Sequence, residues 1–212
     1  MSEIPVEAQV PPSKAKVDVA LNKALITAKV SASALEKILP FSTDLELRER
    51  YINFFNGLRL GKLLEDLDLI AGQVAYRHTE GWERGMTIVT AACDRIDLLG
   101  ELRSDRDLQL LSSINWVGRS SIEVGVKISS KEGDSWKRVA RAYFIMVARR
   151  EGKAEPVNSL ETVTKVQQRR FRESEQRQHE RRSISQTSYL NNTPTADESQ
   201  ILHELFLQIK KR

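Results

Sequence analysis

Asn53–His78, NFFNGLRLGKLLEDLDLIAGQVAYRH, is the stretch on which the reading of this chain turns. Apolar residues fall at Leu60, Leu63, Leu64, Leu67, Ile70, Ala71, Val74 and Ala75. That is the i, i+3, i+4, i+7 spacing of a helix with one broad buried face. At about 100° per residue, Gly61, Glu65, Asp68 and Gly72 share a narrow strip along one edge of that face. Two glycines bracketing two carboxylates let another backbone or a ligand approach the acids. Glycine inside a helix costs about 1 kcal/mol relative to alanine, so Gly72 predicts close packing. On periodicity alone the plainer reading is a half-buried helix whose acids are solvated or paired with Lys and Arg.

On the N-terminal side, Glu46–Phe55 begins charged and ends aromatic and β-branched, so its second half reads as a short strand entering the helix. Further back, Val17–Leu39 reads as a weak amphipathic helix, and MSEIPVEAQVPPSKAK as a disordered lead. That lead lacks the apolar core of a secretory signal and the arginines of a mitochondrial transit peptide. On the C-terminal side, His78–Gly85 is a turn region carrying Trp82. Met86–Leu99, Leu108–Val117, Ser120–Ser129 and Trp136–Arg149 read as four long strands, with hairpin turns at Gly118-Arg119 and at Lys131–Asp134. The mixed apolar run Ala142–Ala148 suits a central strand buried on both faces. A long buried helix followed by a meander predicts an α+β fold with an antiparallel sheet wrapped around a central helix. Beyond Glu151–Asn158 the composition changes. Leu160–Arg182 is a polar helix, and Ala196–Lys211 is a short amphipathic one with Ile201, Leu202, Leu205, Phe206 and Ile209 on one face.

The 212 residues suffice for one sizeable core plus appendages, or two small domains. Hydrophobic residues make up 40% and charged residues 29%, which is ordinary for a globular chain with a polar extension. No apolar run reaches bilayer-spanning length. A lone Cys93 excludes an intramolecular disulfide, and its mid-strand position marks it as core rather than nucleophile. His78, His179 and His203 are scattered and no CxxC is present, so no metal site is expected. A net charge of +4 permits anionic ligands such as nucleotide phosphates without requiring nucleic acid. Glu173, Glu175 and Glu180 interleave with the arginines of Arg169–Arg182, which therefore read as a solvated linker rather than a nucleic-acid arm. One further cluster stands out. In NWVGRSS, Gly118 frees a tight bend while Arg119, Ser120 and Ser121 offer donors suited to phosphate, although many hairpins carry such a turn.

With these pieces in place the chain resembles the hotdog-fold acyl-CoA thioesterases. LPFSTDLELRERYINFFNGLRLGKLLEDLD, TIVTAACDRID, INWVGRSSIEV and FIMVARR resemble the first domain of the mitochondrial double-hotdog enzymes, and RRSISQTSYLNNTPTADESQILHELFL their interdomain connector. The resemblance covers Leu39 to Leu207. It implies a lead over 1–38, a hotdog domain over 39–152, and a linker helix with a short amphipathic helix over 153–212. It implies hydrolysis of fatty acyl-CoA to fatty acid and CoA, with CoA as part of the substrate and no cofactor. Asp68 stands where relatives carry a catalytic carboxylate, with Glu65 on the same strip as the alternative. Asn53 or Asn56 stands where they carry a catalytic asparagine. Arg59-Leu60-Gly61 replaces their His-Gly-Gly, leaving Gly61 as the oxyanion site at the helix N-terminus. Gly118, Arg119, Ser120 and Ser121 would hold CoA.

Those relatives continue into a second hotdog repeat where this sequence reaches Arg212, and their sites lie between two domains. The expected partner is therefore a second copy, in a homodimer or a higher hotdog oligomer. The alternative is an inactive repeat that binds acyl-CoA or pairs with another hotdog domain. A hydroxyacyl-CoA dehydratase would need a histidine–acid pair near the helix, and His78 is far from Asp68 along the chain. The resemblance points to mitochondria, while the absent arginine-rich leader favours the cytosol.

Overall fold

The computed structural model describes residues 24–187 and 193–210. Compactness divides the chain after Phe171, so the parts on either side are described separately.

In the first part, β1 (Thr27–Lys29), a single helical turn α1 (Val30–Ser33) and β2 (Leu35–Leu39) come first, followed by α2 (Leu45–Glu49) and the long α3 (Leu60–Thr79). β3 (Thr87–Leu98), β4 (Leu108–Val117), β5 (Ser121–Glu132) and β6 (Ser135–Arg150) follow, with the short β7 (Lys153–Ala154) and β8 (Ser159–Glu161) after them. The main sheet is antiparallel in the order β2-β4-β5-β6-β3, and β7 adds to the end of β6. β8 pairs in parallel with β1 as a separate ribbon. This is the expected α+β arrangement, a curled antiparallel sheet around a long helix, with β6 in the interior position that its apolar run predicts.

The buried face of α3 carries Leu63, Leu67, Ile70, Ala71, Val74 and Ala75. Against it pack Leu108, Leu110 and Ile114 of β4, Val124, Val126 and Ile128 of β5, and Phe144 and Met146 of β6. Burial on this scale, at about 25 cal/mol per Å² of apolar surface, is what holds helix to sheet. The helix ends at Glu80, which takes the left-handed conformation (φ 52°) and returns its N–H to Arg77 and Tyr76. Beyond it, Trp82 stacks on Tyr76 with ring centroids 4.2 Å apart.

Several expectations are corrected. The described part of Val17–Leu39 is not helical; residues 17–23 lie outside the described residues. Leu35, Lys37 and Leu39 alternate with the exposed Glu36 and Ile38, and the ladder on the free edge of β4 outweighs a weak helix propensity. The second half of Glu46–Phe55 is not a strand either. Asp44 caps α2 by accepting from Leu47 N at 2.8 Å, which draws the charged half into a helix. The aromatic half is then folded into a turn bridged only at Ile52 and Leu58. Gly72 is not closely packed: a Cβ there, as at Gly61, would meet nothing within 4 Å. Cys93 is exposed rather than core, because β3 is an edge strand whose register slips on either side of that residue. Its thiol is pushed up by partial burial and by Asp94 and Asp68, so it is a poor nucleophile as well.

In the second part of the chain, the polar helix α4 (Lys165–Thr187), which begins in the first part, ends, and α5 (Ala196–Lys210) follows. α5 exposes Ile201, Leu202, Leu205, Phe206 and Ile209. Of the expected Ala196–Lys211 helix, Lys211 lies outside the described residues. Among the described residues no helix is long and apolar enough to cross a membrane, and no group of three or more His, Cys, Asp and Glu side chains is placed to hold a metal.

Candidate active site

The loop entering α3 is organised by Asn53. Its carboxamide oxygen accepts from Phe55 N at 2.9 Å and from Gly57 N at 3.0 Å. Asn53 N donates to Gly57 O at 2.8 Å, and Asn56 N to Asn53 O at 3.0 Å. Asn56 sits in the left-handed region (φ 59°), a conformation asparagine tolerates better than most residues, and its carbonyl accepts from Ser104 Oγ at 2.9 Å. This turn holds the Phe54 and Phe55 rings out of the chain, 94% and 86% exposed. With its oxygen already used, the amide nitrogen of Asn53 is the end left to donate. The helix that follows has no side-chain cap at Arg59. Its first N–H groups, those of Leu60 and Gly61 among them, point outward as a positive dipole end.

Two turns further on, Asp68 is half-buried and accepts a 2.6 Å hydrogen bond from Thr90 Oγ1 on β3. Thr90 also contacts Met146 Sδ at 3.3 Å, which limits its movement. Glu65, on the same strip, is exposed and paired with Lys62 at 2.7 Å. Gly61 and Asp68 are seven residues apart, about 10 Å along the helix axis. No acyl carbon could lie within reach of both in one copy.

The turn Gly118-Arg119-Ser120-Ser121 joins β4 to β5. Gly118 N donates to Ser121 O at 2.7 Å, Ala148 N to Ser120 O at 2.9 Å, and Val157 N to Arg119 O at 2.9 Å. A Cβ at Gly118 would come within 2.5 Å of the Trp116 indole, so the glycine makes room for that ring. Arg119 is exposed and pairs with no acid among the described residues. Thr90, Met146 and Ile122 lie in one cross-strand row. This puts Ser121 about 10 Å from Thr90, two strand spacings away. The predicted residues thus fall into two groups: Asn53, Asn56 and Gly61 at the helix entry, and Asp68 with the Gly-Arg-Ser-Ser turn further along.

Sequence reasoning missed two residues here. Thr90 gave no signal beyond its β-branched run. Asp66 was detectable, because it falls on the apolar face between Leu63, Leu67 and Ile70. It is buried and accepts from the Tyr51 hydroxyl and from Lys37 Nζ at 2.9 Å. Burial, together with the bond to Asp66, holds the Tyr51 hydroxyl far above its ordinary pKa. This network ties α3 to β2 and to the loop before the helix. His78 is structural: buried and pushed down by that burial, it bonds through Nε2 to Asn158 O at 3.0 Å.

Residues 52–137 match the Thioesterase superfamily. The chain belongs to that superfamily. It is 34% identical over 185 residues to human mitochondrial acyl-coenzyme A thioesterase 9, covering 84% of this chain and 42% of that protein. It is 40% identical over 162 residues to chloroplastic acyl-coenzyme A thioesterase 2 of Humulus lupulus, covering 72% of this chain and 37% of that one. The chain thus spans less than half the length of these relatives. An acyl-CoA hydrolase from Staphylococcus aureus, solved as an aspartate-to-alanine mutant, shares the fold at a TM-score of 0.65 and 23% identity, over 76% of this chain and 93% of that one. Threonine-to-alanine and asparagine-to-alanine mutants of the same hydrolase also match. A hexameric acyl-CoA thioesterase matches at a TM-score of 0.63 and 24% identity, over 76% of this chain and 98% of that one.

Proposed function

We propose that this superfamily member hydrolyses acyl-CoA thioesters with water as nucleophile, at sites completed by a second copy of the chain. The observation that carries the reading is the Thr90–Asp68 hydrogen bond beside an exposed helix strip, which fixes a carboxylate where a substrate can reach it. Asp68 takes a proton from water as the oxygen bonds to the acyl carbon. The oxyanion is held by N–H groups at the Leu60-Gly61 end of the partner copy's helix, with the Asn53 amide beside it. Collapse breaks the C–S bond, and the departing CoA sulfur takes the proton. Arg119, Ser120 and Ser121, on the same copy as Asp68, bind CoA phosphate or pantetheine.

The S. aureus hydrolase supports the assignment. Its mutated asparagine and aspartate are fifteen positions apart, as Asn53 and Asp68 are here, and a threonine is the third residue altered. Asn53 is therefore preferred to Asn56, whose left-handed backbone shapes the turn. Asp68 is preferred to Glu65, which is engaged by Lys62. A second copy is favoured by the separation of the two groups, the exposed Phe54 and Phe55, and the free edge of β3. The mitochondrial relatives support a mitochondrial location. The separation also keeps open an inactive repeat that binds acyl-CoA, for which a lone copy would have one half of each site.

The test is release of CoA thiol from acyl-CoAs of graded chain length. Asp68→Asn should reduce kcat by about 100- to 10,000-fold, the usual range for a general base. Full activity in that variant would refute the mechanism, and acyl-CoA binding without turnover in the native chain would establish the inactive repeat.

A further inference from the structure

The face of the sheet opposite α3 carries a crowd of cations. Val124, Val126 and Ile128 of β5 point into the core, so the alternation turns Lys127 outward. Its direct cross-strand partner is Arg141 on β6. Arg138 joins them on the same face, where β5 and β6 slip register between Ile128 and Ser129. Arg170, near the start of α4, lies within electrostatic reach of all three.

No acid among the described residues pairs with any of the four, and Arg141 Nε is buried without a partner. The nearby acids are engaged elsewhere. Asp97, opposite Arg141 on β3, is held by Arg95, and Glu36 accepts from Gln109 Nε2 at 2.6 Å. Tyr143, next outward on β6, and Arg169 are further titratable neighbours: partial burial, Arg138 and Arg169 hold Arg170 below its ordinary pKa, and Tyr143 offsets this only in part. Partial burial and the surrounding arginines push Lys127 down to about 8. Like charges gathered in a desolvated place with no counter-ion oppose folding unless an anion neutralises them. Beside Lys127 opens a groove of about 280 Å³, lined by Leu35, Glu36, Leu111 and Ser113 among others.

We propose that Lys127, Arg138, Arg141 and Arg170 bind a phosphate-bearing small molecule whose organic part lies in the groove between β2 and β4. Three guanidinium forks and an ammonium match the charge and geometry of a diphosphate. Leu111, the cross-strand partner of Lys127 on this outward face, gives the groove an apolar wall that suits the body of a nucleotide better than a bare ion. The site lies across the sheet from Asp68, so it does not depend on the thioesterase reading. Two sources carry this chemistry, a free nucleotide and the ADP portion of CoA.

Calorimetry on the full chain with ADP, inorganic pyrophosphate and CoA, against sulfate at equal ionic strength, tests it. ADP should saturate one site per chain, and Lys127→Gln/Arg141→Gln should weaken it at least tenfold. The unliganded double variant should melt no lower than the native chain, because repulsion has been relieved, so weakened binding there is not misfolding. Should it fail to fold, Arg170→Gln gives the same comparison. Displacement of ADP by CoA would identify CoA as the source, and simultaneous binding a free nucleotide. ADP and pyrophosphate binding no better than sulfate, or equal affinity in the variants, would overturn the proposal.

Discussion

Thr90 shows what single residues contribute and why some cannot be read in advance. A hydrogen bond to a charged group is worth about 1.5–3 kcal/mol, so Thr90→Val should lower kcat about 10- to 100-fold with little change in KM. Thr90→Ser, which keeps the hydroxyl, should recover most of the loss; equal kcat in the valine variant would remove Thr90 from the site. Helix periodicity placed Asp68 on the strip beside the buried face, because it locates a side chain within one element, and the resemblance alone singled it out as the proposed base. Thr90 was not legible, because its meaning comes from the strand–helix contact. Lys127 carries a stability signature of its own. Its folded pKa, about 8, lies below the ordinary 10.5, so between these values the unfolded chain binds more protons and stability rises with pH. Above about pH 10 the raised pKa of Tyr51 acts in the opposite direction, since the unfolded phenol ionises first. Denaturant unfolding from pH 7.5 to 10 should show this rise in the native chain and a flatter profile in Lys127→Gln. Parallel profiles would mean that Lys127 is not under the strain inferred for it.

At the scale of elements, α3 was read almost to the residue because its apolar stripe is long and its burial follows the period. The strands β3 to β6 were read for the same reason. β1, β2 and the Asn53 turn were not, since each is decided by a partner: the edge of β4, the parallel ribbon with β8, and one carboxamide spanning Phe55 and Gly57. The C-terminal end of α3 illustrates such long-range fixing. Asn158, fully buried, donates to His78 O at 2.8 Å, accepts from Ile26 N at 3.2 Å, and receives the His78 ring on its own carbonyl. Asn158→Ala would strand a buried carbonyl and an N–H, each costing about 1–3 kcal/mol. Urea unfolding should show a loss of roughly 2–4 kcal/mol by that reckoning. A loss under about 0.5 kcal/mol, the range of an ordinary surface substitution, would mean that water replaces the amide.

For the whole molecule, the decisive fact is that the groups the chemistry needs lie apart within one copy. Seven residues of helix, about 10 Å, separate Gly61 from Asp68, so the proposed mechanism takes its oxyanion donors and its base from different copies. The fold was legible in the sequence, and the resemblance already implied a site between two domains; the strand–helix contact of Thr90 with Asp68 was not legible there. On that proposal a two-fold pair would give each dimer two composite sites, each using Asn53 from one copy and Asp68 from the other. Asn53→Ala and Asp68→Asn homodimers should both be nearly inactive. In a heterodimer of the two variants, one site carries both substitutions and the other carries neither. Co-refolding equal amounts makes about half the dimers mixed by random association. Activity should therefore return to roughly a quarter of the native level, far above either parent. Size-exclusion chromatography with light scattering on the same samples verifies that dimers form. No recovery in a verified mixture would show that base and oxyanion donors belong to one copy, and would rule out the composite site.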